Sequence, residues 1–307
     1  MKMDEGLQEI LFNALNEHGF LFQERCAQEI QFSTNIGWRL HVTEHPVSLK
    51  GKDTRIDIVI RDENSQEDLE VYGLIECKKV DPRYRCWLFG KSMYDAPVPA
   101  KAQIIKIEIK QRNPRSRRNV LARPVQYVPI RMLFNINAHV IDNWWVEVNL
   151  KSKNKRISDP QPIEDVFHQI CTGIGGLAVE QERQRVRKIG DFDEYVSELR
   201  DFEVYLVPII ITTAPLYVAA YDISDVDIKT GNINKGQVKF SPNKAEPESV
   251  NWVMVDYGAG SGVTPDELYR NFHGTEPVDL EPYNRRSIFV VNSSHIRDFL
   301  AQLHMSE

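Results

Sequence analysis

The chain has 307 residues, 42% hydrophobic and 27% charged, with a formal net charge of −6. That length suits one large α/β domain with insertions, or two domains, and the composition is that of an ordinary globular protein. The net acidity excludes a general polyanion binder but not a local basic surface, and no run approaches the ~20 apolar residues of a membrane span.

In chain order, Leu7, Ile10, Leu11, Ala14, Leu15 and His18 recur at helical spacing and Gly19 ends the run, which predicts an amphipathic first helix. Gln8 lies at the edge of its apolar stripe and Glu9 on the far side. GFLFQERCAQEIQF fits a helix or a strand, and WRLHVTEHPVSLK reads as the first strand. Between Thr54 and Lys79, the β-branched runs RIDIVI and VYGLIECKK flank the polar segment DENSQEDLE, the pattern of an antiparallel hairpin. Side chains alternate along a strand, so Glu76 and Lys78 share a face and Cys77 points away toward the core. Pairing Ile60 with Gly73 would set Asp57 opposite Glu76, with Cβ atoms roughly 5 Å apart.

After Lys79, PRYRCWLFGKSMYDAPVPA reads as a short helix and a Pro-stiffened loop, in which Tyr84 and Trp87 beside Arg83 and Arg85 could pack or stack on bases. QIIKIEIKQ, RPVQYVPIRMLFNI and HVIDNWWVEVNLK read as strands, NPRSRRN as a basic turn and KSKNKRISDPQP as a linker. Lys101 to Arg123 holds eight basic residues against one acid, Glu108. Lys110, Arg112, Arg115, Arg117 and Arg118 of that stretch are the candidate contacts to a phosphate backbone, the alternative being a solvated face. From Ile163, the stripe Val166, Phe167, Ile170, Ile174, Leu177, Ala178 predicts a long helix whose Gly173 and Gly176 let it lie close to a sheet, with Gln169 at its edge. VYLVPIIITTAPLYVAAY reads as two buried strands broken around Ala214-Pro215. VNWVMVDYG and SIFVVNS follow as strands, GAGSG as a loop before a helix start at Thr264-Pro265, and HIRDFLAQL as the last helix.

Two carboxylates held as close as Asp57 and Glu76 repel unless a cation or a basic group lies between them, and hard oxygen ligands suit Mg²⁺. A second E-x-K, Glu108-Ile109-Lys110, has its nearest upstream acid, Asp95, in the Pro-broken YDAPVP, where a facing strand is disfavoured. An E-x-K on the wet face of a strand needs no catalytic explanation, and that reading stands beside the metal site. Other chemistry finds little support. The histidines show no H-E-x-x-H, there is no G-x-S-x-G elbow, and GAGSG lacks the Lys-Ser/Thr of a phosphate loop. The four cysteines, Cys26, Cys77, Cys86 and Cys171, have no C-x-x-C spacing and read as reduced thiols. The acidic N-terminal stretch is unlike a signal peptide, so a cytoplasmic location is expected.

Asp57, eighteen intervening residues, then Glu76-Cys77-Lys78 resembles the PD-(D/E)xK nuclease superfamily, with Ile56 where the motif's name has Pro. The resemblance implies a restriction-endonuclease-like α/β core, a mixed central sheet flanked by helices. Residues 1–82 and 161–221 would form that core, 83–160 a basic, β-rich insertion, and 222–307 a C-terminal extension of the same domain. It further implies that Asp57, Glu76 and the main-chain carbonyl of Cys77 hold Mg²⁺, with Mn²⁺ able to substitute. Lys78 would orient or deprotonate the attacking water. A free lysine is protonated at neutral pH (about 10.4), so an electrostatic role asks less of it. Family members often place a Glu early in the first helix, near the metal, and sometimes a polar residue on the later helix, which makes Gln8 and Gln169, at the edges of their stripes, secondary candidates. The implied function is a DNA endonuclease of restriction or phage-defence type. A homodimer would supply two opposed sites, and a regulatory or defence partner subunit is compatible with that setting. A catalytically inactive nucleic-acid- or partner-binding module on the same fold is the alternative.

Overall fold

The computed structural model describes residues 5–303 except 18, 50, 67–68, 93–102, 112–119, 130–133, 135, 137, 142–143, 152–157, 192–201, 241–248 and 259–284. Over these described residues it is an α/β protein with two mixed sheets and four helices. The segment that fits either helix or strand is a helix. Two helices therefore open the chain, α1 (Glu5–Glu17) and α2 (Phe20–Gln31). They are followed by β1 (Trp38–Leu49), β2 (Lys52–Asp62) and β3 (Leu69–Lys78). Next come β4 (Arg85–Ser92), β5 (Gln103–Gln111), β6 (Val120–Pro129), β7 (His139–Ile141), β8 (Trp144–Asn149) and β9 (Ser158–Asp159). The 31-residue helix α3 (Gln161–Asp191) leads into β10 (Phe202–Thr212) and β11 (Leu216–Tyr221). The chain closes with β12 (Lys239–Phe240), β13 (Trp252–Gly258), β14 (Arg285–Asn292) and α4 (Ile296–Gln302).

The larger sheet has nine strands, running β1-β2-β3-β10-β14-β13-β7, with β5 on β10 and β6 on β5. β2 is antiparallel to both of its neighbours, β1 and β3, and α3 precedes β10, which lies parallel to β3 along its whole length. Parallel neighbours require a crossover connection. The other edge of β10 is shared: Phe202–Leu206 pairs with β5 and Ile209–Thr212 with β14. The smaller sheet runs β12-β11-β4-β8-β9. Residues 83–160 are thus divided between the two sheets, and β13 and β14 from beyond residue 222 extend the larger one.

Helix α3 lies on one face of the larger sheet, between it and the smaller one. Ile163, Phe167, Ile170 and Ile174 join Leu74, Leu206 and Ile210 from one side and Trp87, Phe89 and Leu216 from the other. Trp145, Phe167 and Tyr257 meet edge to face or tilted, 5.1–5.8 Å between ring centres. The two glycines do set the approach of this helix. A Cβ on Gly173 would stand 3.0 Å from Ile56 Cγ1, and one on Gly176 2.8 Å from Val47 Cβ. The opposite face of the sheet is covered by α2 (Cys26, Ala27, Ile30) and α4 (Ile296, Phe299, Leu300).

Two expectations change. The stretch read as a short helix and loop after Lys79 contains a strand, β4. It is hydrogen-bonded by β8 and β11 on its two edges, and Trp87 is fully buried with its indole N–H donating to Glu147. Helix α1 forms, but its apolar residues Leu7, Ile10, Leu11 and Leu15 are exposed, and α2 is the helix that packs on the sheet. Among the described residues no helix is long and apolar enough to cross a membrane.

Candidate metal centre

Strands β2 and β3 pair Ile60 with Gly73 and Ile58 with Ile75, the register that carries Asp57 to Glu76. A Cβ on Gly73 would fall 2.6 Å from Ile60 Cγ1, so a glycine is what lets this pair close up. The regular ladder ends one position before the acids. There the in–out alternation of β2 slips: Ile56 and Val59 pack toward α3, whereas Ile58 and Ile60 pack toward α2. The Asp57 side chain takes the place of a main-chain acceptor, its Oδ2 receiving the N–H of Cys77 at 2.7 Å. The two acids therefore do not face each other as an ordinary cross-strand pair. They meet where the strands part, and Asp57 and Glu76 share a hydrogen bond.

Burial decides the chemistry of this pair. Glu76 is only 7% exposed at the end of the apolar run Val71–Ile75, and an ionised carboxylate there has lost most of its hydration. Burial first, then the neighbouring Asp57, push the Glu76 carboxyl up to about 9, while the Lys78 ammonium pulls it back in part. Asp57 is raised less, to about 6: burial lifts it and the Cys77 N–H opposes. At neutral pH the pair accordingly holds one proton between two carboxyl groups. Lys78 is half-buried two residues beyond Glu76 and pairs in register with Thr212 of β10. The Cys77 thiol turns to the other side of the sheet against Cys26, and the hydrogen bond with Cys26 together with burial raises it.

Two further groups border the pair, and neither is marked by the sequence motif. Thr43 pairs with Ile58 and His45 with Ile56, which places Glu44 of β1 beside Asp57. Glu44 has φ +52°, a left-handed backbone that residues other than glycine adopt at a penalty. Its charge raises both acids of the pair. From α2, the Gln23 amide donates to Glu44 Oε1 and, at 3.1 Å, to the main-chain carbonyl of Asp57. Glu44 Oε2 also meets the exposed Arg55 at 3.4 Å. Only the unusual backbone angle and the β1 register reveal these residues.

The remaining candidates lie elsewhere. Gln8 is exposed on α1 and Gln169 exposed on α3, and neither hydrogen-bonds Asp57 or Glu76. Lys110 belongs to β5, paired with Leu121 of β6. Arg112, Arg115, Arg117 and Arg118 fall outside the described residues, as does the Thr264-Pro265 helix start. Trp87 is fully buried and so serves packing, while Tyr84 lies beneath the Lys151 ammonium, 3.0 Å from its ring centre.

Among the described residues, no three histidine, cysteine or acidic side chains converge as a ready-made metal cage. Two carboxylates nonetheless match the protein's usual share of a Mg²⁺ site, in which several ligands remain water. A buried and a half-buried acid that share a proton are a donor set that a divalent cation would relieve, so the residues present fit the ion. The chain matches no family model, no curated protein and no solved structure.

Proposed function

We propose that the chain is a divalent-metal-dependent nuclease on a restriction-endonuclease-like core, cutting phosphodiester bonds in nucleic acid, with DNA as the expected substrate. The observation that carries this reading is the meeting of Asp57 and Glu76 at the point where β2 and β3 part, with Lys78 two residues on. The order around it agrees: helices, three antiparallel strands, then a long helix crossing to a strand parallel to β3.

Asp57 and Glu76 would hold Mg²⁺, giving up their shared proton as they do so. When bound, the ion supplies Lewis acidity that neutralises phosphate charge and activates a water. The Lys78 ammonium favours the ionised form of Glu76 and would in the same way offset charge on a scissile phosphate. The Cys77 N–H keeps the Asp57 carboxylate turned across the strand gap, and α2 and α3 keep bulk water from both faces of the sheet behind it.

The test is cleavage of plasmid, linear duplex, single-stranded DNA and RNA with Mg²⁺ or Mn²⁺, against EDTA. Glu76→Ala and Lys78→Ala are expected to fold as the parent does by circular dichroism and to lose at least about a hundredfold in rate. A fully active Glu76→Ala protein overturns the assignment. A second reading, a binding module that does not cut, is favoured by the net charge of −6 and the lack of a three-sided cage among the described residues. Retarded migration of nucleic acid with no degradation under any metal would select it.

A further inference from the structure

The Gln23 side chain ties α2, which already packs on the sheet through Cys26, Ala27 and Ile30, to two strands at the metal centre. Its amide nitrogen has two hydrogens, and both are used within the site. One goes to Glu44 on β1 and the other to the carbonyl of Asp57 on β2. The Asp57 carbonyl belongs to the residue at which the in–out pattern of β2 slips. Glu44 is the residue at which β1 takes up its positive φ. Gln23 thus bridges the irregular points of two adjacent strands. Along the sheet, Glu44, Asp57 and Glu76 form a row across β1, β2 and β3.

We infer that Glu44 is a third acid of the metal centre, acting on the ion by charge and through its water shell, and that Gln23 is the positioning residue that holds it there. This rests on the nuclease-type reading of Asp57 and Glu76. A magnesium-type ion keeps most of its waters, and an acid beside the two ligands can accept hydrogen bonds from them. The ionised row carries three negative charges, of which Lys78 offsets one, leaving a balance that suits a divalent ion. Arg55 does not cancel this contribution. It meets Glu44 at 3.4 Å and its side chain is 71% exposed, and such surface pairs are weak and screened. The Gln23 contact is with the carboxylate oxygen Oε1, leaving Oε2 to Arg55. An amide that lost this grip would leave a 40% exposed carboxylate free to swing into solvent.

The experiment is Mn²⁺ binding to the full chain without nucleic acid, followed by the electron paramagnetic resonance of free Mn²⁺. The proteins are the parent, Gln23→Ala, Glu44→Gln, the Gln23→Ala/Glu44→Gln double variant and Glu76→Ala. Glu44→Gln is close to isosteric, and thermal melts in EDTA verify that each variant is folded. Glu44→Gln is expected to weaken Mn²⁺ binding by about tenfold, Gln23→Ala by a comparable factor, and the double variant by little more than either alone, since the amide acts through the carboxylate. Glu76→Ala should bind no Mn²⁺ at this site. If Glu76→Ala binds as the parent does, the underlying reading of the acid pair fails. If Glu76→Ala loses binding while Glu44→Gln retains it, the third-acid proposal fails and that reading stands. Losses that multiply in the double variant refute a positioning role for Gln23.

Discussion

The proton shared by Asp57 and Glu76 couples this site to pH. Both carboxyls are raised from their ordinary values, Glu76 from 4.5 to about 9 and Asp57 from 3.8 to about 6. Below about pH 3 both folded and unfolded chains are protonated at these positions and the pair has no effect on stability. As pH climbs, the unfolded chain releases protons that the native pair keeps, so stability falls across the range up to about pH 9 and then levels. Melting in EDTA at pH 5, 7 and 9 should show this decline, and Glu76→Gln should flatten it, because the amide neither titrates nor repels Asp57. An unchanged slope in Glu76→Gln would mean that other groups set it. Divalent binding should strengthen over the same interval, since the ion displaces the proton. The motif residues were legible because E-x-K after an apolar run, with an acid upstream on a facing strand, is a short-range pattern. Glu44 and Gln23 were not. Their roles depend on the register of β1 and on the helical state of a segment whose apolar spacing suits strand or helix equally.

At the scale of elements, the glycines of α3 were legible as points of close approach, and the distances agree. Gly176→Leu forces the new side chain into Val47, which is buried, and is expected to destabilise by about 1–3 kcal/mol. Gly236→Ala, with nothing within 4 Å of its added methyl, should leave the urea midpoint where it is. Equal midpoints for the two variants would refute the packing argument. Periodicity located α3, β10, β13 and α4 because each has a clear buried stripe or a fully buried run. It misread β4 because a strand hydrogen-bonded on both edges and covered by α3 shows no clean alternation. Arg85-Cys86-Trp87-Leu88 mixes charged and aromatic residues as a helix turn might. It left the α2 segment open between helix and strand, and α1, which has the clearer stripe, is the exposed one. At the last turn of α1, Lys79, next to the motif lysine, donates to the carbonyl of Asn16.

For the molecule as a whole, the sequence conveyed an α/β class and a long helix followed by a buried strand. The distribution of strands between two sheets was beyond its reach. A run such as LYVAAY is equally apolar whether it extends the first sheet or starts a second; the pairing of β10 ends at Thr212, and beyond it the Pro215 carbonyl accepts the N–H of Trp87 as β11 joins β4. The left-handed backbone at Glu44 has a further consequence. Glycine would occupy that angle without penalty, so the chain keeps an acid there against its own conformational preference. Directed evolution for heat resistance alone should therefore enrich glycine or asparagine at position 44, and the survivors should tolerate warming better while gripping divalent ions less well.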